Sequence, residues 1–341
     1  MKETDDMKAR GLVVKQFGDW RNVEMGNVEL PSVGPNDILV DVEAVSLNFP
    51  DLLLIEGKYQ ARPEVPFIAG RDAAGVVREC GAEVTRHSVG DRVAVQVTHG
   101  AFADRLIVAA DRAARLPDAL SFAAGAASAT VFATAHVALD IRARLQPGER
   151  VLVAGAAGGV GTAMLQLCRL RGGIPIALVS SEQKAAFVRM QGAEAVIRTD
   201  LISDLHDGLR QALSDEGFDG VDVVADVVGG DVFDASLRVL RPEGRMLVVG
   251  FTSGRIPEMR ANYALLKNIA ILGSPLEHYL EISGVEVMQA LEKIFVEIPT
   301  NDLEAIVTAR FPLSDFNYAA EQLISRKVLG KEVLILKESL G

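Results

Sequence analysis

The stretch that most constrains this chain is RVLVAGAAGGVG, residues 150–161. Val151, Leu152, Val153 and Ala154 form a short apolar run of strand character that enters a glycine-rich turn. Val160, Ala163, Met164, Leu167 and Cys168 then recur at i, i+3, i+4, i+7 and i+8, which is one face of a helix. Strand, glycine turn and helix in that order form the setting in which such a turn binds phosphate. A Cβ would hold a pyrophosphate away from the backbone, and the first N–H groups of the helix carry a partial positive charge that favours an anion. The spacing is not a full G-x-G-x-x-G. Ala156 stands at the first glycine position, Gly158 and Gly161 match, and Gly159 is extra. A tight βα turn with no ligand is the competing reading of the same residues.

A chain of 341 residues exceeds one ordinary core, so two domains are expected. The net charge of −11 argues against nucleic acid as the main partner. Only Cys80 and Cys168 occur, far apart and outside any C-x-x-C, which fits a reducing, cytoplasmic setting without disulfides. Cys168 falls on the apolar helix face, where packing is its expected role. The start, MKETDDMKAR, lacks the apolar region of a signal peptide, and residues 1–6 read as a disordered extension. No uninterrupted apolar run reaches the ~20 residues of a membrane span.

Residues 7–125 read as β-rich, with short runs at 12–16, 38–45, 75–80, 92–97 and 102–108. Turns such as PSVGPND and SVGDR separate them, which predicts a barrel- or sandwich-like domain. Residues 50–57 are apolar at helical spacing. From Phe122 small residues dominate, AAGAASATVFATAHVAL, and a tightly packed helix is expected before Pro147-Gly148 breaks the chain. After the glycine turn, predicted strands at 174–179, 195–197, 221–226, 245–249 and 269–272 alternate with helices at 182–191, 201–214 and 231–240, the last with Asp231 as N-cap. Residues 221–226 are apolar as befits a strand covered on both faces. With the strand before the glycine turn, these make an α/β, doubly wound parallel sheet of Rossmann type. Helices at 286–295 and 314–325 precede a final strand at 331–337, behind Gly330. A lone terminal strand needs a partner, and the first β-rich domain is the simplest one. The expected division is therefore 7–132 with 275–341, and 133–274.

Eight stretches together carry a specific resemblance: SLNFPDLLLIEGKY (46–59), PFIAGRDAAGVV (66–77), VGDRVA (89–94), ATAHVAL (133–139), AAGGVG (156–161), SSEQK (180–184), DVVGGD (226–231) and GKEVLIL (330–336). On them the chain resembles the zinc-independent medium-chain dehydrogenases/reductases of the quinone oxidoreductase, or zeta-crystallin-like, family. The resemblance implies a GroES-like β-rich domain split in sequence, a Rossmann domain, and a homodimer joined near residues 269–273. It also implies hydride transfer from a nicotinamide to a quinone or enone.

Zinc-dependent relatives carry Cys, His and Cys as catalytic ligands; the aligned positions here are Asn48, Arg71 and Thr130. An amide, a guanidinium and a hydroxyl do not supply the three converging ligands of a catalytic zinc, so no metal is expected. His87, His99, His136, His206 and His278 stand singly, with no ligand spacing.

NAD-preferring folds place Asp or Glu about 20 residues past the glycine turn, on the ribose 2′-hydroxyl. Ser180 and Ser181 stand there instead, with Lys184 one helical turn on and Arg198 after the next strand. Two cations around a serine pair point to NADPH; solvated surface charges are the competing reading. The cofactor contacts implied by the resemblance are Asn48, Thr134, Ala157, Gly158, Gly159, Val160, Gly161, Ser180, Ser181, Lys184, Arg198, Gly250 and Phe251.

Hydride delivery to a conjugated carbonyl creates an enolate or hydroquinone anion that a donor must stabilise or protonate. Tyr59 and Asn48 are the expected donors, with simple packing the competing reading for Tyr59. Asp51 reads as a helix cap or orienter, and Arg71-Asp72 as an internal ion pair. Two alternatives stay open: a 2-enoyl thioester reductase, and a crystallin-like protein that binds NADPH with little turnover.

Overall fold

The computed structural model describes residues 8–336, so residues 1–6 and the end of the last expected strand, Lys337, lie outside the described residues. The chain begins with β1 (Lys8–Val14), β2 (Glu24–Glu29) and β3 (Asp37–Ser46), followed by helix α1 (Phe49–Ile55). Five short strands follow: β4 (Phe67–Ile68), β5 (Asp72–Cys80), β6 (Arg92–Gln96), β7 (Arg105–Ala109) and β8 (Ala113–Arg115). Helix α2 (Phe122–His136) continues as a π-helix, Val137–Ala143.

An alternating region comes next: β9 (Arg150–Ala154), α3 (Gly159–Leu170), β10 (Ile174–Val179), α4 (Glu182–Met190), β11 (Ala195–Arg198) and α5 (Leu205–Asp215). It ends with β12 (Val221–Asp226), α6 (Gly230–Val239), β13 (Leu240–Val248), α7 (Ala261–Lys267) and β14 (Ala270–Gly273). The chain closes with α8 (Leu276–Glu297), α9 (Thr300–Glu304), β15 (Val307–Pro312), α10 (Phe316–Ile324) and β16 (Lys331–Ile335).

Two compact units result. One runs to Thr130 and resumes at Ser283; the other is Val131–Ile282. Ser283 is the non-helical residue inside α8, so the chain passes between units at a break in that helix.

In the second unit the sheet order is β11-β10-β9-β12-β13-β14, all parallel, the doubly wound order expected of the alternating pattern. Its centre is apolar on both faces: Leu152, Ile176, Leu178, Val224 and Met246 are buried together on one, and the alternating Val151, Val153, Ala177 and Val223 are buried on the other. In the first unit, β16 pairs antiparallel with β3, so the terminal strand joins the N-terminal β-rich sheet. Trp20 and Phe102 pack against Phe316 of α10, at ring separations of 6.5 and 6.0 Å.

Four local expectations change. Strand β2 (EMGNVE) shows no apolar face because it is an exposed edge, and pattern reading passes over it. Strand β15 (VTARFP) is likewise half exposed, and only its parallel pairing with β16 makes it a strand. Gly229, at φ 71°, caps α6, and Asp231 sits in its first turn instead. Finally, Phe122–Ala143 is a single rod of 22 residues, long and apolar enough to span a membrane, yet 83% of its most apolar window is buried inside the protein. Interspersed Ser, Thr and His hide that length in the sequence.

Candidate active site

In the first unit, strand register assembles a buried polar cluster. Pairing of Val333 with Ser46 and Ile335 with Ala44 runs antiparallel, so continuing it two residues brings Lys331 opposite Asn48. On the other side of β3, Ser46 pairs with Asp72 at the start of β5. Asn48 then precedes α1, where Pro50 at the start of the helix favours that turn.

The cluster is closely bonded. Lys331 Nζ donates to the Leu47 carbonyl and to Asn48 Oδ1, both at 2.7 Å. Asn48 Nδ2 donates to Asp72 Oδ2 at 2.8 Å and to the Ser46 carbonyl at 3.3 Å. Thr130 Oγ1 donates to Asp72 Oδ1 at 2.6 Å. Asp51 Oδ2 accepts from the Asn48 backbone N–H at 2.7 Å, the orienting role expected of it, while its buried Oδ1 has no partner. The Arg71 guanidinium lies over the Tyr59 ring, 5.1 Å from its centroid, and Tyr59 is half-buried.

Burial dominates the electrostatics. It pushes the Asp51 carboxyl up to about 7, opposed by Arg71 and the Asn48 N–H. Asp72 is also raised by burial, against the pull of Lys331, Thr130 and Asn48. The Lys331 ammonium is lowered by burial, although Asp72 and Asp51 favour its charge.

Three of the sequence-derived positions, Asn48, Arg71 and Thr130, thus converge on one cluster, Asn48 and Thr130 both hydrogen-bonded to Asp72 and Arg71 next to it in sequence. Asn48 differs from expectation in one respect. Both of its amide hydrogens are engaged inside the protein, so the donor expected of it is turned inward. Tyr59 is the remaining expected donor; among the described residues its hydroxyl makes no hydrogen bond. Lys331 escaped sequence reasoning. Its only signal was a cation opening the apolar run KEVLI. Thr134 is buried one turn beyond Thr130 on α2.

In the second unit, β9 runs into the glycine turn and α3. Gly158 is the N-cap of α3, at φ −84° and ψ 170°, and no side chain caps the helix. A Cβ on Gly158 would meet only the Gly155 carbonyl, at 3.5 Å, so the space in front of it is open. A Cβ on Gly161 would lie 2.4 Å from that same oxygen and 2.6 Å from Ala156 Cα. The left-handed turn residue is Gly155, at φ 73°, a role that the motif spacing did not assign. Ala157 is buried; Gly159 and Val160 are half-buried at the helix start. An uncapped helix start behind an open glycine fits the pyrophosphate of a dinucleotide.

At the end of β10, Ser181 caps α4 by accepting from the Lys184 backbone N–H at 3.3 Å. Lys184 Nζ donates to Ser180 Oγ at 3.0 Å. Arg198 is in register with Val179 across the neighbouring strand. Its guanidinium, however, is bound to Asp200 and Glu182, so the second expected cation is already paired with acids. Gly250 and Phe251 follow β13; the Gly250 N–H donates to the Asp226 carbonyl at 3.3 Å, and Phe251 is partly exposed.

Residues 34–143 match the alcohol dehydrogenase GroES-like domain, and residues 159–292 match the zinc-binding dehydrogenase domain. Quinone oxidoreductase-like protein 2 of Rattus norvegicus is 34% identical over 306 residues, covering 89% of this chain and 86% of that protein. Quinone oxidoreductase of Mus musculus is 30% identical over 336 residues, covering 96% and 98%. Among solved structures, Escherichia coli quinone oxidoreductase complexed with NADPH aligns at 29% identity and a TM-score of 0.83, covering 96% of this chain and 100% of that one. A mycobacterial protein complexed with NADPH aligns at 28% identity and a TM-score of 0.85, with the same coverage.

Proposed function

The chain belongs to the quinone oxidoreductase family of the medium-chain dehydrogenases/reductases, and from that premise we propose that it reduces quinones or enones with NADPH and without zinc. The observation that carries this reading is the uncapped start of α3 behind the open Gly158, with serines in place of an acid after β10. The NADPH complexes of related structures support the cofactor assignment.

When bound, NADPH supplies the hydride. The chain supplies the rest. The first N–H groups of α3 hold the pyrophosphate, and Ser180, Ser181 and Lys184 receive the 2′-phosphate. Tyr59 donates its hydroxyl proton toward the oxygen that gains charge, and Arg71 steadies its ring. Asn48 is held between Lys331 and Asp72, with its amide orientation fixed at both ends. The donor set argues for chemistry without zinc. Asn48 and Thr130 are committed to Asp72, and the Lys331 ammonium and Arg71 guanidinium already bring positive charge. Among the described residues, no three His, Cys, Asp or Glu side chains are grouped to hold a metal.

A homodimer formed along the exposed edge strand β14 and a cytoplasmic setting belong to the same proposal. The free thiols Cys80 and Cys168 are consistent with that setting.

Steady-state NADPH oxidation against quinones, enones and enoyl thioesters tests the reading. Turnover of quinones or enones is the expected result. Activity on enoyl thioesters alone would replace it with the thioester reductase alternative, and binding without turnover with the crystallin-like one. Tyr59→Phe is expected to lower kcat roughly tenfold or more while leaving NADPH affinity unchanged. A kcat within twofold of wild type on both substrate classes would remove Tyr59 from the reaction.

A further inference from the structure

Two acids meet Arg198 beside the end of β10, one from the start of α4 and one from beyond β11. Arg198 is the last residue of β11 and lies in register with Val179, so its side chain starts beside the end of β10. That end is where a Rossmann fold holds the adenosine ribose. All three guanidinium nitrogens are bonded to carboxylates. Nε donates to Asp200 Oδ1 at 3.2 Å, one terminal nitrogen to Asp200 Oδ2 at 2.6 Å, and the other to Glu182 Oε2 at 2.5 Å. Asp200 stands two residues beyond β11, and Glu182 opens α4 directly after the serine pair. Glu182 also pairs with Arg189 at 3.5 Å, so the two arginines and the two carboxylates of this network cancel in formal charge. A 2′-phosphate approaching Ser180 and Lys184 therefore finds the Arg198 guanidinium already occupied by carboxylates, whereas the uncharged ribose hydroxyl of NADH gains little from that cation.

We propose that Asp200, with Glu182, is a specificity-determining residue that restrains the preference for NADPH over NADH by holding and neutralising Arg198. The inference rests on the NADPH reading above. Lys184 and the serines favour the phosphate, and the Asp200 carboxylate withholds Arg198 from it. Asp200→Asn keeps the side chain's size, removes its charge and leaves Glu182 as the one carboxylate on Arg198, so that its other nitrogens can turn toward the phosphate. All the groups involved are at least partly exposed, so the effect is modest and is screened by salt.

Isothermal titration of the full chain with NADPH and with NADH tests it. Asp200→Asn is expected to tighten NADPH binding roughly 3- to 10-fold and to leave NADH within twofold. The gain should shrink at high salt and vanish in Asp200→Asn/Arg198→Ala, because it requires the released guanidinium. Arg198→Ala alone should weaken NADPH less than about threefold. Unchanged or weaker NADPH binding in Asp200→Asn, with wild type binding NADPH, overturns this inference and leaves the functional reading standing. Wild type that binds no NADPH overturns both.

Discussion

Gly158→Val is expected to fold with a stability within about 1 kcal/mol of wild type and to lose NADPH affinity by about 100-fold or more. Its backbone, at φ −84° and ψ 170°, is extended and open to any residue. The added Cβ meets one atom, at ordinary contact distance. What the valine fills is the space in front of the uncapped helix, where the proposed pyrophosphate site lies. Two lost hydrogen bonds to a charged group, at about 1.5–3 kcal/mol each, account for that loss in affinity. Gly161→Val is the contrasting case. Its Cβ would collide with the Gly155 carbonyl and the Ala156 backbone, so the turn itself must shift, at about 1–3 kcal/mol. Chemical denaturation and cofactor titration of both variants separate the two effects. Full NADPH affinity in a folded Gly158→Val chain would place the phosphates elsewhere.

Lys331→Met is expected to be the most destabilising of these substitutions, at about 3–5 kcal/mol. The ammonium is buried, and its removal leaves Asp72 and Asp51 with Arg71 as their remaining cation in the cluster. It also removes the donor to Asn48 Oδ1 and the Leu47 carbonyl. Protonating a stranded carboxylate relieves part of the penalty, so the loss should be greatest at alkaline pH and shrink on acidification. A loss under 1 kcal/mol at pH 8 would mean that the cluster does not need its cation.

Asp51 has a pH signature of its own. Its folded-state value of about 7 lies above the ordinary 3.8, so the folded chain keeps a proton that the unfolded chain gives up. Its contribution to stability is therefore complete below about pH 4 and is lost as pH rises through about 7. Asp51→Asn should lack this slope, as measured by urea denaturation at a series of pH values. An unchanged slope would assign it to Asp72 instead.

Much of the fold was legible because it is written locally. The apolar run of β12, the alternation of strands and helices, and the strand–glycine–helix sequence at residues 150–161 each rest on neighbours a few residues apart. Strands β2 and β15 were not legible, because half-exposed edges carry no apolar face and become strands through a partner. The glycine turn after β9 was readable as a motif, yet the division of labour among Gly155, Gly158 and Gly161 was not. Motif spacing records where glycine stands, whereas φ and the atoms facing a Cβ decide why it must.

The charged groups divide in the same way. Ser180 and Ser181 in place of an acid can be seen in the sequence, but Arg198 counted as a cation only until the fold paired it with Asp200 and Glu182. Lys331 and Asn48 lie 283 positions apart, and nothing local to either one connects them. By itself the sequence determined most of the elements and their order, since those follow from periodicity and turn chemistry. Only the tertiary structure decided which charges meet, because the register of β16 on β3 sets which side chains share a desolvated space, and desolvation sets what their charges cost.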